Sequence, residues 1–184
     1  MKKISFIGVF ILFAFMAKAQ ELKFSPIDSS PADIVYYPLN VAKAKDGSMP
    51  VMKIVYSRPA KKGREIFGVL EQFGKVWRLG ANENTEIKFF KRVKIAGKTI
   101  KAGTYSLFAI PNKDNWTLII NKQTDRWGAF SYDETKDVLR TEVPVKSLDK
   151  TLENFSITFS PNEKGANIVF AWDKTLIELP VAFQ

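Results

Sequence analysis

Apolar residues in this chain recur at every second position more often than at every third or fourth, a period that suits strands and disfavours helices. The clearest run puts Phe155, Ile157 and Phe159 on one face and Ser156, Thr158 and Ser160 on the other. Turn residues at 161–165 lead into a second apolar run, 166–172, and Asp173-Lys174 is expected to reverse the chain again into 175–183. Near the other end Met52, Ile54 and Tyr56 alternate with Val51, Lys53 and Val55, so this strand is expected to be covered on both sides.

Further strands are expected at 75–79, 85–90, 104–110, 116–121 and 138–145. The last belongs at an edge, because Pro144 cannot donate to a ladder. Gly97-Lys98, between apolar runs at 93–96 and 99–100, signals a hairpin. The one helical candidate is a turn or two over 66–73, between Gly63 and Gly74. About ten short strands at hairpin spacing, with no crossover helix, predict an all-β fold. Its expected form is an antiparallel β-sandwich or partly closed barrel with at most one short helix near 66–73.

The first residues have the three parts of a secretory leader. Lys2 and Lys3 precede an apolar run from Ile4 to Ala17 broken only by Ser5 and Gly8, and Ala17-Lys18-Ala19 supplies the small-x-small site. Cleavage is expected after Ala19. The run is shorter than the ~20 apolar residues that span a bilayer, and no later stretch is long enough to do so. The expected organisation is a signal peptide at 1–19, a flexible mature N-terminus at 20–32 and a single β domain at 33–184. The mature protein is expected in the periplasm or outside the cell.

Export usually brings disulfides, yet the chain has no cysteine, so packing must supply its stability. The same absence removes the acyl-accepting residue of a lipoprotein. The formal charge is +9, and part of that surplus leaves with Lys2, Lys3 and Lys18. The other lysines are dispersed, which fits a solvated surface or attraction to an anionic small molecule or glycan. No nucleic-acid motif is present, and nucleic acid is not an expected partner.

Histidine is absent too, and with it go the Ser-His-Asp and Cys-His nucleophiles and the usual zinc, copper, iron and haem ligand sets. No phosphate-binding glycine loop occurs, and no cofactor is expected. Calcium stays formally open through Asp133, Glu134 and Asp137 or through Asn112, Asp114 and Asn115, neither with EF-hand spacing. Glycoside hydrolysis needs only two carboxylates, for which Glu83 with Glu86 and Asp125 with Asp133 are the candidates. Of the four tryptophans, Trp77, Trp116 and Trp172 are expected in the core, whereas Trp127 sits in a loop where it can stack on a sugar.

One stretch does not read as ordinary sandwich sequence. Tyr56-Ser57-Arg58-Pro59, Gly63-Arg64, Ile66-Phe67-Gly68, Trp77-Arg78 and Gly80-Ala81-Asn82-Glu83 crowd three arginines, an asparagine and a glutamate among glycines and a proline. These residues, with Gly74-Lys75-Val76-Trp77-Arg78, the 102–108 run, Ile110-Pro111, Trp116, Asn121-Lys122, Trp127-Gly128 and 137–140, resemble the bacterial domain of unknown function 2911. The resemblance spans about 30–179. It implies an exported bacterial protein and carries no catalytic residue or cofactor. A departure from it is the longer segment at 40–49 before the Tyr-Ser-Arg-Pro strand, which leaves the register of the first hairpin open.

Two readings compete for the cluster. In the favoured structural one, Arg58, Arg64 and Arg78 pair with Glu83 and with backbone carbonyls to lock the end of the sandwich. In the other, Arg58, Arg64, Arg78, Asn82, Glu83 and Trp127 bind an anionic ligand. The expected function is a non-catalytic binding or envelope-associated module. The alternatives are a histidine-independent hydrolase using carboxylates, with Glu83 first, and a purely structural envelope protein.

Overall fold

The computed structural model describes residues 21–184, so the expected signal peptide lies outside the described residues. Among these there are ten strands: β1 (Ala32–Tyr37), β2 (Met52–Ser57), β3 (Thr85–Phe89), β4 (Val93–Ile95), β5 (Lys98–Ile100), β6 (Gly103–Pro111), β7 (Asn115–Asn121), β8 (Asp137–Pro144), β9 (Lys146–Asn162) and β10 (Gly165–Phe183). One sheet has the order β1-β2-β3-β6-β7-β8 and the other β5-β4-β10-β9. All neighbours pair antiparallel. Two separate sheets settle the choice between sandwich and barrel in favour of the sandwich. β8, with Pro144, is an edge strand as expected.

The period of two is what builds the core. Met52, Ile54 and Tyr56 of β2 face Phe155, Ile157 and Phe159 of β9 and Ile168, Phe170 and Trp172 of β10, and all are buried. Burying such side chains supplies roughly 1.5–3 kcal/mol each. At one end the core is aromatic: the Trp77 ring lies 5.7 Å from Trp116, 5.1 Å from Phe155 and 6.0 Å from Trp172. The three tryptophans expected inside are there.

Several local expectations need correction. The segment 66–73 is not helical: Glu71 N donates back to Ile66 O and Gly68 N to Glu71 O, closing a compact loop. Gly68 has φ 94°, outside the helical region. Only Ile66 and Phe67 reach the core, while Val69, Leu70 and Phe73 are exposed, so no helical stripe exists to be buried. The short helical turns lie instead at Val41–Lys43 and Glu134–Lys136.

Residues 75–79 do not form a strand but touch β6 through one bridge, Trp77 to Ala109. Leu79, at φ 55°, bends the chain away before a ladder can extend. The hairpin after β4 turns on Ala96-Gly97, one position earlier than expected, with φ 47° and 80°, as a type I′ turn requires.

The chain does not reverse at Asp173-Lys174. β10 runs through, Asp173 sits at φ 54°, and the pairing jumps from Asp173 opposite Leu152 to Thr175 opposite Ser147. A bulge at an aspartate in left-handed geometry thus carries the composition of a turn without being one. β9 and β10, of 17 and 19 residues, are therefore long and not short.

β1 has no counterpart in the strand reading, and Ala32 from the expected flexible segment begins it. The 40–49 segment is the connection between β1 and β2, whose register aligns Tyr37 with Met52. At the opposite end of that hairpin, the loop after β2 lies along the outer edge of β9. Lys61 N donates to Glu153 O at 2.8 Å and Phe155 N to Pro59 O at 2.9 Å.

Candidate functional site

The loops 58–84 and 122–136 meet at one end of the sandwich. Gly128 N donates to Asn82 O, Asn84 N to Arg126 O, and Glu83 bridges Trp127. Buried Asn84 fixes the junction, its Nδ2 donating to Ser106 Oγ at 2.6 Å and its Oδ1 accepting from Arg126 N at 2.9 Å.

The turn through Leu79 and Gly80 decides where the cationic residues point. Leu79 is fully buried, its carbonyl accepts from Thr85 Oγ1, and the Gly80 carbonyl accepts from Trp77 Nε1 at 3.2 Å. Gly80 lies at φ 157°, and a Cβ there would stand 2.9 Å from the Ser57 carbonyl oxygen. Only glycine lets this turn sit so close to the end of β2.

Beside the turn is a pocket of about 370 Å³ whose wall carries Lys62, Arg64, Glu71 and Arg78, with Trp172 below and Ser30 at the rim. Arg64 directs its fork to its own loop, donating to Lys61 O at 2.9 Å and to Ala60 O. Arg78 is different: its Nε is buried without any hydrogen-bond partner, and its guanidinium forms no ion pair among the described residues. Burial pushes the Glu71 carboxyl up to about 7, against the opposing pull of Arg78 and Arg64.

Arg58 points elsewhere. Its fork holds Asp33 Oδ2 of β1 at 2.9 Å, Ser156 Oγ at 2.8 Å and Phe155 O at 3.3 Å, joining the two sheets. The expected meeting of Arg58 and Arg78 at Glu83 does not form. Asp33 on the unanticipated β1 captures Arg58, and the Leu79-Gly80 turn separates Arg78 from exposed Glu83. Backbone carbonyls do hold Arg58 and Arg64, as the structural reading required.

Asn82, at φ 58°, donates its side-chain amide to Asp28 at 3.1 Å. Trp127 is exposed, as expected. Phe130, which sequence reasoning missed, is 88% exposed. A Cβ at Gly128 would meet the Phe130 ring at 3.0 Å and Arg78 Cδ at 3.8 Å, so ring and guanidinium stem share one spot.

Across the 80–84 turn a second pocket of about 320 Å³ brings Glu83, Glu86 and Asp125 together with Ser57. Glu86 Oε1 accepts from Asp125 N at 2.7 Å. Asp133 is not among the residues lining this pocket: it caps the Glu134–Lys136 turn, and the hydrogen bonds it accepts from Thr135 lower its pKa. Of the calcium candidates, Asp137 is occupied by Asn121, Tyr132 and Arg140, and Asn115 by Glu142. Burial and Asp137 push the Tyr132 hydroxyl far up, which suits a structural donor.

Glu71 was missed because its role comes from where the loop folds, not from any motif. A family model described as a protein of unknown function (DUF2911) matches residues 38–181. No curated protein and no solved structure matches the chain.

Proposed function

Starting from a chain that belongs to the DUF2911 family, we propose that it is an exported, non-catalytic binding module that holds an anionic small molecule or glycan between Arg64 and Arg78. One observation carries the reading: Arg78 lines an open pocket with its guanidinium unpaired and its Nε desolvated without a bond. An arginine that borders open space without a counter-charge is a ready partner for an anion, because its fork makes charge-assisted bonds. The leader-like sequence at 1–19 supports export; the intact mass of the exported protein is then expected to start at Gln20.

The test is calorimetric titration of the purified protein with glucuronate, sulfate and phosphate. Binding of at least one, weakened about tenfold or more in Arg78→Ala, is the expected result, because a charge-assisted bond contributes roughly 1.5–3 kcal/mol. No binding of any of the three sinks the reading.

A second reading has its own support. Glu83 and Glu86 share a pocket with Ser57, a placement compatible with carboxylate-based hydrolysis of a glycoside. Turnover of chromogenic glycosides that is abolished in both Glu83→Gln and Glu86→Gln decides for it.

A further inference from the structure

Building on the reading of the Arg64–Arg78 pocket as an anion site, we infer that its ligand is an acidic saccharide whose anionic group settles on Arg78 while Glu71 takes up one proton. Glu71 is the only carboxylate among the residues lining the pocket, and it faces Lys62 and Arg64 from the loop after β2 and Arg78 from the segment before Gly80. Ser29 and Ser30, from the segment before β1, add no charge.

The neighbouring charges are engaged elsewhere. Asp28 accepts from Ser30 N and Asn82, Lys61 pairs with Asp173 beside Trp172, and Glu153 accepts from Lys62 N. Glu71 itself makes no side-chain hydrogen bond, and the two arginines act on it through space. The gap between Glu71 and the arginines is therefore where an anion fits.

An anion placed there competes with the Glu71 carboxylate for the same two arginines and repels it. The carboxylate is already disfavoured by burial, so it responds by binding a proton from solvent. The balance is ligand anion plus ionised Glu71 plus one proton, giving the complex with neutral Glu71. No covalent bond changes in the ligand, and the new O–H can donate to it.

The saccharide part rests on Phe130. Its exposed ring lies beside the Arg78 stem, and Trp127 stands close to it in the chain. An aromatic face beside the stem of an arginine that has no ion pair offers stacking to a sugar ring while the cation holds its acid group.

Calorimetry of glucuronate binding from pH 6 to 9, in buffers of different ionisation enthalpy, tests this. The sugar carboxyl stays ionised throughout that range. The expected result is a flat affinity below pH 7 that falls above it by up to about tenfold per pH unit, with uptake of up to one proton. Glu71→Gln is expected to keep the pH 6 affinity across the whole range, and Phe130→Ala to weaken glucuronate severalfold while leaving sulfate unchanged.

Glucuronate binding that depends on Arg78 yet does not vary with pH overturns the proton coupling and leaves the anion site standing. Equal loss of glucuronate and sulfate in Phe130→Ala, or no loss of either, overturns the saccharide assignment. Failure of glucuronate, sulfate and phosphate alike to bind at any pH overturns this inference together with the anion site.

Discussion

Arg58 and Arg78 stand on either side of the contact between Ser57 and Gly80, and the fold treats them in opposite ways. Arg58 is clasped by groups from β1 and β9 and ties one sheet to the other. Arg78 borders open space, with its Nε buried and unbonded. The difference lies in what the neighbouring strands deliver: register brings Asp33 alongside the end of β2, whereas no carboxylate among the described residues reaches bonding distance of Arg78. Residue type alone does not separate a clamp from a binding group; the partners do.

The largest expected effect comes from the floor that both regions share. Trp77 donates to the Gly80 carbonyl and packs on Phe155, Trp116 and Trp172. Trp77→Ala is expected to cost about 3–5 kcal/mol by urea unfolding, and a loss under about 1 kcal/mol would show that the two regions do not depend on it.

Arg58→Ala comes next. The loss is expected at about 1–2 kcal/mol, moderated by the partial exposure of the pair, and a double-mutant cycle with Asp33→Ala should show coupling above about 0.5 kcal/mol. Additivity within error would break the contrast at the clamp.

Glu71 sharpens the contrast through pH. Its carboxyl is raised from an ordinary value of 4.5 to about 7 in the fold, so between these limits the folded protein holds a proton that the unfolded chain has released. Its contribution to stability is fully present below pH 4.5 and is lost as pH rises through 7. Glu71→Gln is therefore expected to be neutral at pH 4 and stabilising by about 1 kcal/mol at pH 8, reduced from the full linkage value because the pocket is open to water. Equal stability changes at the two pH values would show that the carboxyl is not perturbed.

The smallest effect is expected for Arg78→Ala, which should move the unfolding free energy by less than about 1 kcal/mol in either direction, as for a binding residue without structural partners. A loss comparable with that of Arg58→Ala would place Arg78 among the clamps.

The sandwich class was legible because alternation in β2, β9 and β10 maps directly onto which side chains are buried. Features that depend on a single backbone angle were not. Asp173 looks like a turn residue and makes a bulge, while Gly68 and Leu79 divert segments whose apolar content suggested a helix and a strand. In the site, the arginine-rich loops and exposed Trp127 were visible from residue type. The pairing of Arg58 with Asp33 was not, since it needs the register of a strand the pattern did not reveal. Glu71 and Phe130 acquire their surroundings only when distant loops close on one another.

The loop that lies along β9 also shapes how the molecule behaves among its own copies. A 17-residue strand at the border of a sheet is a template for another chain. Here the amide of Phe155 and the carbonyl of Glu153 are already taken by Pro59 and Lys61, so the free ladder is interrupted midway. The wall that presents Lys62 and Arg64 thus doubles as a cover over part of this edge, and shortening it is expected to leave the strand open to strand-by-strand aggregation.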